Sequence, residues 1–257
     1  MKIAVLTKAI PSYESSIRID SSEKWIDESI VNFVVNESDS YALEEALQIK
    51  EQLNDDSEVV VVIMGSESNT SKVLKDGLAK GADRGIFIKN DISETDPLSI
   101  AKIFSEPLKE ESFDLILSGL QSDDLGSGQT GILIGELLNM STATLGIETK
   151  IEDGKIKVKR ELESGWFQWV KLPMPASISI QSGLNTPRYP SLRGIMGAKK
   201  KEIKVVPASE YQTIAKSQSI EKIFVPQTSK QTEVIEGDAD SAVARIVEIL
   251  KSEIKVL

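Results

Sequence analysis

The sequence contains no cysteine and no histidine among its 257 residues. Without cysteine, the chain can form no disulfide, no thiolate nucleophile and no cysteine-ligated metal site. Without histidine, it lacks the commonest general acid–base group and the commonest ligand of transition metals. Hydrolases built on a Ser-His or Cys-His pair are therefore excluded, and we expect neither a catalytic residue nor a metal site.

The chain has no excess of positive charge: 40 Asp and Glu outnumber 30 Lys and Arg, and the formal net charge is -10. Binding to duplex nucleic acid requires clustered Lys and Arg that displace counterions, so we expect no nucleic-acid partner. No apolar run approaches the roughly 20 residues that cross a bilayer, so we expect no membrane insertion. Residues 1–8 become polar too soon for a signal peptide and predict a first strand, which favours a cytoplasmic location.

Strand and helix patterns alternate through the first half of the chain. Apolar, β-branched runs predict buried strands, and the segments between them have helical spacing. Strands are expected at residues 3–6, 58–64, 85–88 and 113–119, and helices at 41–50, 71–80, 97–109 (interrupted near Pro107) and 129–138. The alternation predicts a mostly parallel, doubly wound, Rossmann-like α/β sheet with helices on both faces.

The pattern changes after residue 140. Asp153-Gly154 is a strong hairpin signal and predicts an added β-hairpin region. Residues 205–226 have few periodic apolar positions, and an amphipathic helix is expected over 240–251. We therefore expect an α/β domain over 1–205 and an extended C-terminal arm with a helix over 206–257.

Residues 119–131 form a loop of small and polar residues that follows a buried strand and opens a helix. Small residues let backbone N–H groups approach an anion, and a helix N-terminus favours phosphate. A flexible surface loop capped by Ser or Thr has the same pattern, and the residues alone leave both interpretations open. The loop is neither a Walker A loop nor a GxGxxG fingerprint.

Two further loops follow strands in the same way, at residues 36–39 and 64–66. Alone, the first would be a simple helix N-cap. In a doubly wound sheet, however, ligands bind at the carboxyl ends of the strands. Convergence of the three loops on one crevice makes a single nucleotide site more plausible than three unrelated turns.

A loop over residues 183–194 is rich in breakers but carries Leu, Tyr and two Arg. Long loops of this kind are usually functional, and an exposed Leu beside Tyr and Arg suits a docking anchor. An ordinary structured turn is equally compatible with the residues. We assign no chemistry to the basic triplet at residues 199–201.

Taken together, these motifs resemble the beta subunits of electron-transfer flavoproteins. The resemblance covers residues 1–205, in family order, and is weak beyond them. The matching stretches are Asn36 with Leu43-Glu44-Glu45-Ala46; Ala79-Lys80-Gly81-Ala82-Asp83-Arg84; Gly119-Leu120-Gln121-Ser122 with Gln129-Thr130-Gly131; Val158-Lys159-Arg160-Glu161 with Pro175-Ala176; and Asn185-Thr186-Pro187-Arg188-Tyr189 through Leu192.

The resemblance implies a heterodimeric electron carrier without catalysis of its own. An alpha subunit would hold most of a shared FAD, and this chain would bind a structural AMP. Electrons would come from a flavin-dependent dehydrogenase and pass to an acceptor. The implied AMP contacts are Leu6, Asn36, Glu37, Ser38, Asp39, Met64, Gly119, Leu120, Gln121, Ser122, Asp123, Asp124, Leu125, Gly126, Ser127, Gly128, Gln129 and Thr130.

Bifurcating members of that family place a second FAD in the AMP site. Their loop usually reads Ala-Ile-Asp-Gly-Asp-Thr-Ala-Gln-Val-Gly, which differs from residues 122–131 here, so the resemblance favours AMP. The alternatives are therefore a bifurcating flavoprotein, or a nucleotide-binding regulatory protein of related fold without a redox role.

The resemblance also assigns residues outside the crevice. Leu192 would anchor the dehydrogenase, with Tyr189 and Arg188 beside it. Tyr13 and Arg160 match positions near the shared flavin, although Arg160 could equally be a surface strand residue. The arm over residues 206–257 would pack on the partner subunit.

Overall fold

A computed structural model describes residues 1–90, 96–211, 217–226 and 232–256. The chain divides into two compact units, Met1–Ile223 and Phe224–Leu257. The first unit contains the sheet and the crevice described below. The domain boundary expected at residue 205 stays a prediction.

The first unit contains eleven described strands and five described α-helices. The strands are β1 (Lys2–Thr7), β2 (Ala9–Pro11), β3 (Phe33–Val35), β4 (Glu58–Gly65), β5 (Arg84–Lys89), β6 (Leu115–Gly119), β7 (Ser141–Glu152), β8 (Lys155–Glu161), β9 (Phe167–Pro173), β10 (Ala176–Ile180) and β11 (Ile203–Pro207). The helices are α1 (Glu37–Leu53), α2 (Glu67–Lys80), α3 (Pro97–Glu111), α4 (Thr130–Leu137) and α5 (Leu192–Ala198).

The central sheet is parallel over most of its width. The strand order is β11-β5-β4-β1-β6-β10-β7-β8-β9, and β2 pairs with β3 in a separate small sheet. Every pairing from β11 to β7 is parallel, whereas β7, β8 and β9 pair antiparallel. The expected Rossmann-like α/β sheet with an added hairpin region is therefore confirmed.

Alternate residues of the central strands face two different helical layers. Val5 and Val61 pack in one core with α1 and α2, whereas Ala4 and Val60 pack in the other with α3 and α4. All four are fully buried. Burial on both faces explains why the strands are continuous apolar runs rather than alternating patterns.

The hairpin between β7 and β8 turns at the expected residues. Asp153 and Gly154 both have positive φ, at 52° and 68°. A two-residue turn with two positive φ angles matches the twist of the flanking strands, which is why Asp-Gly predicts it.

Four element predictions need correction. Helix α3 continues through Pro107 instead of being interrupted there, and Pro107 is buried. Helix α1 begins at Glu37, so residues 38–40 lie inside the helix. Helix α5 begins at Leu192, inside the predicted loop, and strand β11 extends to Pro207, into the stretch from residue 205 that is expected to be irregular.

The second unit contains helix α6 (Ala239–Glu248), which continues into a π-helical turn over Ile249–Glu253. The predicted C-terminal helix is therefore confirmed. Within the described part of the chain, no helix combines the length and apolar character needed to cross a bilayer.

Candidate functional site

A crevice opens at the carboxyl ends of β1, β4 and β6. Its volume is about 830 Å³, within the range of small-molecule sites. The three strand-end loops predicted to converge all contribute to its wall. Predicted residues that line it are Leu6, Asn36, Asp39, Met64, Gly119, Leu120, Gln121, Ser122, Asp124, Leu125, Ser127, Gly128, Gln129 and Thr130.

The start of α1 holds the loop after β6 in place. The Asn36 side chain donates to the Gln121 carbonyl at 2.9 Å and accepts from the Asp123 amide at 3.0 Å. The Ser38 hydroxyl donates to the same Gln121 carbonyl at 2.7 Å. Asn36 occupies the N-cap position of α1, but its side chain makes no cap hydrogen bond. Its amide instead bridges two loops of the crevice.

Asp39 joins three elements at the base of the crevice. Its carboxylate accepts from the Lys8 amide at 2.8 Å and from the Gly119 amide at 2.9 Å. Burial raises the pKa of Asp39 to about 7, against the opposing effect of these two hydrogen bonds. Burial therefore disfavours the charged form of this carboxyl, and a neutral carboxyl would repel an anion in the crevice less than a carboxylate would.

Two side chains, one after β1 and one after β2, bind the acidic stretch of residues 122–124. Lys8 Nζ lies 2.6 Å from Asp124 Oδ1 and 3.2 Å from Ser122 Oγ. The Tyr13 hydroxyl donates to Asp123 Oδ2 at 2.7 Å, and this hydrogen bond raises the pKa of Tyr13 to about 12. The loop is thus connected both to the base of the crevice and to the surface around Tyr13.

The crevice has the polar groups that a nucleotide needs. Ser118 Oγ is buried without a hydrogen-bond partner among the described residues, and Ser118 lines the crevice. A side chain at Gly131 would collide with that hydroxyl, so the close packing of α4 on β6 at this point requires glycine. Helix α4 begins at Thr130, and the first N–H groups of a helix have no partner within the helix. These groups and Lys8 fit a phosphate-bearing ligand.

Some predicted contacts lie beside the crevice rather than in its wall. Glu37, Ser38, Asp123 and Gly126 belong to its loops but do not line it. Tyr13 is also outside the wall, although it is bonded to Asp123. Arg160 donates to the Thr144 carbonyl at 2.9 Å and to its hydroxyl at 3.0 Å, on the antiparallel side of the sheet.

The structure adds residues that the sequence did not single out. Lys8 and Ser118 lie at the ends of β1 and β6, where the strand-end rule could have found them. Trp25 and Phe33 reach the crevice from the segment around β3, and Gln218 from the far end of the unit. The sequence offers no signal for these three, because their proximity depends on tertiary structure alone.

The predicted docking residues lie on a different surface. Tyr189 is 93% exposed and Leu192 is 83% exposed. Arg188, in contrast, is half-buried and forms ion pairs with Glu44 and Glu51 of α1. The three predicted docking residues therefore have different environments. Tyr189 and Leu192 are exposed, whereas Arg188 is held in ion pairs.

Comparison with known proteins gives matches over the whole chain. The family model described as the electron transfer flavoprotein domain matches residues 24–211. A protein of Methylophilus methylotrophus named electron transfer flavoprotein subunit beta is 35% identical over 97% of this chain and 98% of its own length. Proteins of the same name from Bradyrhizobium diazoefficiens and Bacillus subtilis are 36% and 33% identical, each over 100% of both chains.

Proposed function

The chain belongs to the electron transfer flavoprotein family, and we propose that it is the beta subunit of a heterodimer that carries electrons from a dehydrogenase to an acceptor. Its relatives are beta subunits by name, which implies an alpha subunit as partner. The chain itself is proposed to have no autonomous catalysis. Its tasks are to bind a nucleotide, to support the shared flavin and to dock the dehydrogenase.

We propose AMP as the nucleotide in the crevice. The observation that carries this proposal is the meeting of three strand-end loops around a buried, unpartnered Ser118 hydroxyl. Lys8, Ser118 and the start of α4 would hold the phosphate side of the ligand. Asp39 would support them by fixing the amides of Lys8 and Gly119.

A second FAD in the same crevice is the alternative. The crevice extends beyond the three loops to Trp25, Ile26 and residues 218–220, which leaves space for a larger nucleotide. The loop over residues 122–131 differs from the loop of the bifurcating members, which supports AMP. The nucleotide content of the heterodimer distinguishes the two.

FAD supplies the redox chemistry when it is bound, and the protein supplies position and electrostatics. We propose that Tyr13 and Arg160 face the shared flavin. Arg160 is suited to this role because Thr144 orients its guanidinium by two hydrogen bonds. Tyr13 is suited because its bond to Asp123 connects the flavin side with the nucleotide loop.

The C-terminal arm is proposed to pack on the alpha subunit. Val243, Ile246 and Val247 of α6 are exposed apolar residues, and such a helix face favours a protein partner.

The cytoplasmic location expected from the sequence stays a prediction.

We propose that Leu192 inserts into the dehydrogenase, with Tyr189 beside it. Both side chains are highly exposed although they are apolar, as expected for anchors of an interface. Leu192→Ala should raise the KM for the heterodimer in dehydrogenase-driven reduction about tenfold or more, because an anchor of this size contributes about 2 kcal/mol. The measurement is the steady-state rate at which a dehydrogenase purified from the same organism reduces the heterodimer.

The nucleotide and flavin content of the Leu192→Ala heterodimer should be unchanged, since Leu192 does not line the crevice. Val205→Ala is the matched control, an apolar residue that is also exposed but lies on β11. An unchanged KM for Leu192→Ala would remove this loop from the docking surface.

A further inference from the structure

The loop that carries Tyr189 and Leu192 is fixed to the body of the protein on both sides. On one side, Arg188 forms ion pairs with Glu44 and Glu51 of α1. On the other, Leu192 begins α5, which packs against the end of α2. Only residues 189–191 lie between the two attachments. The exposed side chains therefore stand on a short, restrained span.

The Arg188 guanidinium donates hydrogen bonds to two carboxylates. Its Nε and one terminal nitrogen donate to Glu44 at 2.8 Å and 2.9 Å. Its two terminal nitrogens donate to Glu51 at 2.6 Å and 3.2 Å. The Arg188 backbone amide adds a bond to Glu44 at 3.1 Å. Lysine could not make this arrangement, because its ammonium is a single point charge.

Glu44 is built to hold this arginine. Its side chain is only 6% exposed, and it also accepts from Gln48 at 2.9 Å. Burial alone would raise the pKa of Glu44, but the hydrogen bonds from Arg188 and Gln48 outweigh it and lower the pKa. The carboxylate is therefore charged at neutral pH and is paired with the guanidinium.

Asn185 provides a second attachment to α1. Its amide donates to the Tyr41 carbonyl at 3.0 Å and to Glu45 at 3.1 Å. Glu45 in turn accepts from the Thr149 hydroxyl, so the attachment extends to β7.

At the C-terminal end of the loop, Ser191 caps α5 by accepting from the Gly194 amide at 3.0 Å. A side chain at Gly194 would collide with the Ala79 carbonyl of α2.

We propose that Arg188 is a positioning residue, which Glu44 and Glu51 hold as a latch so that Tyr189 and Leu192 are presented to the dehydrogenase in a fixed geometry. The inference rests on the proposed function for its role in docking, but not for the latch itself. Ordering a loop before binding removes an entropic cost from association, so the latch increases affinity without contacting the partner.

Two measurements on the purified heterodimer test the latch. Hydrogen–deuterium exchange of the segment over residues 185–192 reports its order in the absence of any dehydrogenase. Steady-state reduction by the purified dehydrogenase gives KM and kcat. Arg188→Ala should accelerate exchange in the segment about tenfold, because the side-chain hydrogen bonds to Glu44 and Glu51 that restrain it are lost. It should raise KM about tenfold and leave kcat at saturation unchanged.

Glu51→Ala separates positioning from direct contact. Glu51 is exposed, so its replacement threatens the fold little. If Arg188 positions the loop, Glu51→Ala accelerates exchange and raises KM less than Arg188→Ala does, because Glu44 remains. The double variant of Arg188→Ala and Glu51→Ala should then resemble Arg188→Ala alone.

Arg188→Lys should restore only part of the order of the segment, since lysine keeps the charge but cannot make the paired hydrogen bonds of the guanidinium. Lys75→Ala removes an exposed charge from α2 and is the control.

The outcomes separate the two proposals. Unchanged exchange in Arg188→Ala overturns the latch. The latch is also overturned if Arg188→Ala raises KM while Glu51→Ala leaves KM unchanged or lowers it. In that case the Arg188 guanidinium, freed from Glu51, would itself be binding the dehydrogenase. Faster exchange in Arg188→Ala with KM unaffected both there and in Leu192→Ala supports the latch and contradicts docking on this loop.

Discussion

Gly119 ends β6 where any side chain would strike the start of α1. A Cβ atom there would collide with Ser38 Oγ and with Asp39 Oδ1. The Gly119 amide also donates to Asp39 at 2.9 Å. The close approach of strand and helix is therefore part of the crevice, and it depends on the absence of a side chain.

Replacement of Gly119 by alanine should open the crevice at its base. The added methyl group would separate β6 from α1, and overpacking of this kind costs about 1–3 kcal/mol of folding free energy. We expect Gly119→Ala to lower the midpoint of chemical denaturation and to reduce the AMP recovered from the purified heterodimer.

Gly197→Ala is the control for that change. A Cβ atom at Gly197 meets nothing within 4 Å, so this variant should keep both its nucleotide and its stability. Full nucleotide content and wild-type stability in Gly119→Ala would contradict the role assigned to this contact.

The sequence predicts some residues of the crevice and misses others for an identifiable reason. Asn36, Met64 and Gly119 follow strands, so topology brings them together before any side chain is considered. Trp25 enters from a segment whose only described pairing is the single bridge between Ile19 and Ile26. The sequence pattern of such a segment does not show where it lies in the molecule, because its position depends on what it packs against.

At the scale of elements, Glu111 connects four of them. It lies at the end of α3 and accepts from Lys2 of β1 at 2.6 Å, from Arg84 of β5 at 2.8 Å and from Lys204 of β11 at 3.2 Å. Burial alone would raise the pKa of Glu111, but the three cations outweigh it and lower the pKa from 4.5 to about 2.

Glu111→Gln should therefore destabilise the protein in a pH-dependent way. The folded-state pKa lies below the unfolded value, so the carboxylate contributes stability that is present above pH 4.5 and is lost as the pH falls towards about 2. We expect a loss of about 1–2 kcal/mol at pH 7, reduced from the full pKa effect because the cluster is partly exposed.

Urea denaturation of wild type and Glu111→Gln at several pH values measures this difference. The gap between the two should shrink as the pH falls below 4.5. A gap that is constant with pH would mean that the cluster contributes by packing and not by charge.

Elements with repetitive patterns are predictable, and those governed by context are not. The β4 run and the Asp153-Gly154 turn follow from local rules. Strand β11 is rich in β-branched residues, but it is only five residues long and pairs with β5 at the margin of the described sheet, so its formation depends on that pairing. Pro107 predicts a break, yet α3 continues, since Pro107 is buried and Phe104 and Leu108 pack into the core.

At the scale of the whole molecule, the first unit presents two separate features, which we propose serve two different partners. The crevice lies at the carboxyl ends of the central strands, whereas Tyr189 and Leu192 project from a loop held by the side of α1. Helix α1 supports both: Asn36 and Asp39 at its start fix the crevice, and Glu44 fixes the loop. The docking and orienting roles that we propose require rigidity of this kind rather than reactive side chains.

The central claim is that the crevice binds AMP beside a flavin that another chain holds. Co-expression with the alpha subunit, acid extraction of the purified complex and mass spectrometry of the released nucleotides test it most directly. We predict one AMP and one FAD per heterodimer. Two FAD and no AMP would assign the crevice to a second flavin, and a chain that purifies alone without nucleotide or flavin would contradict the account as a whole.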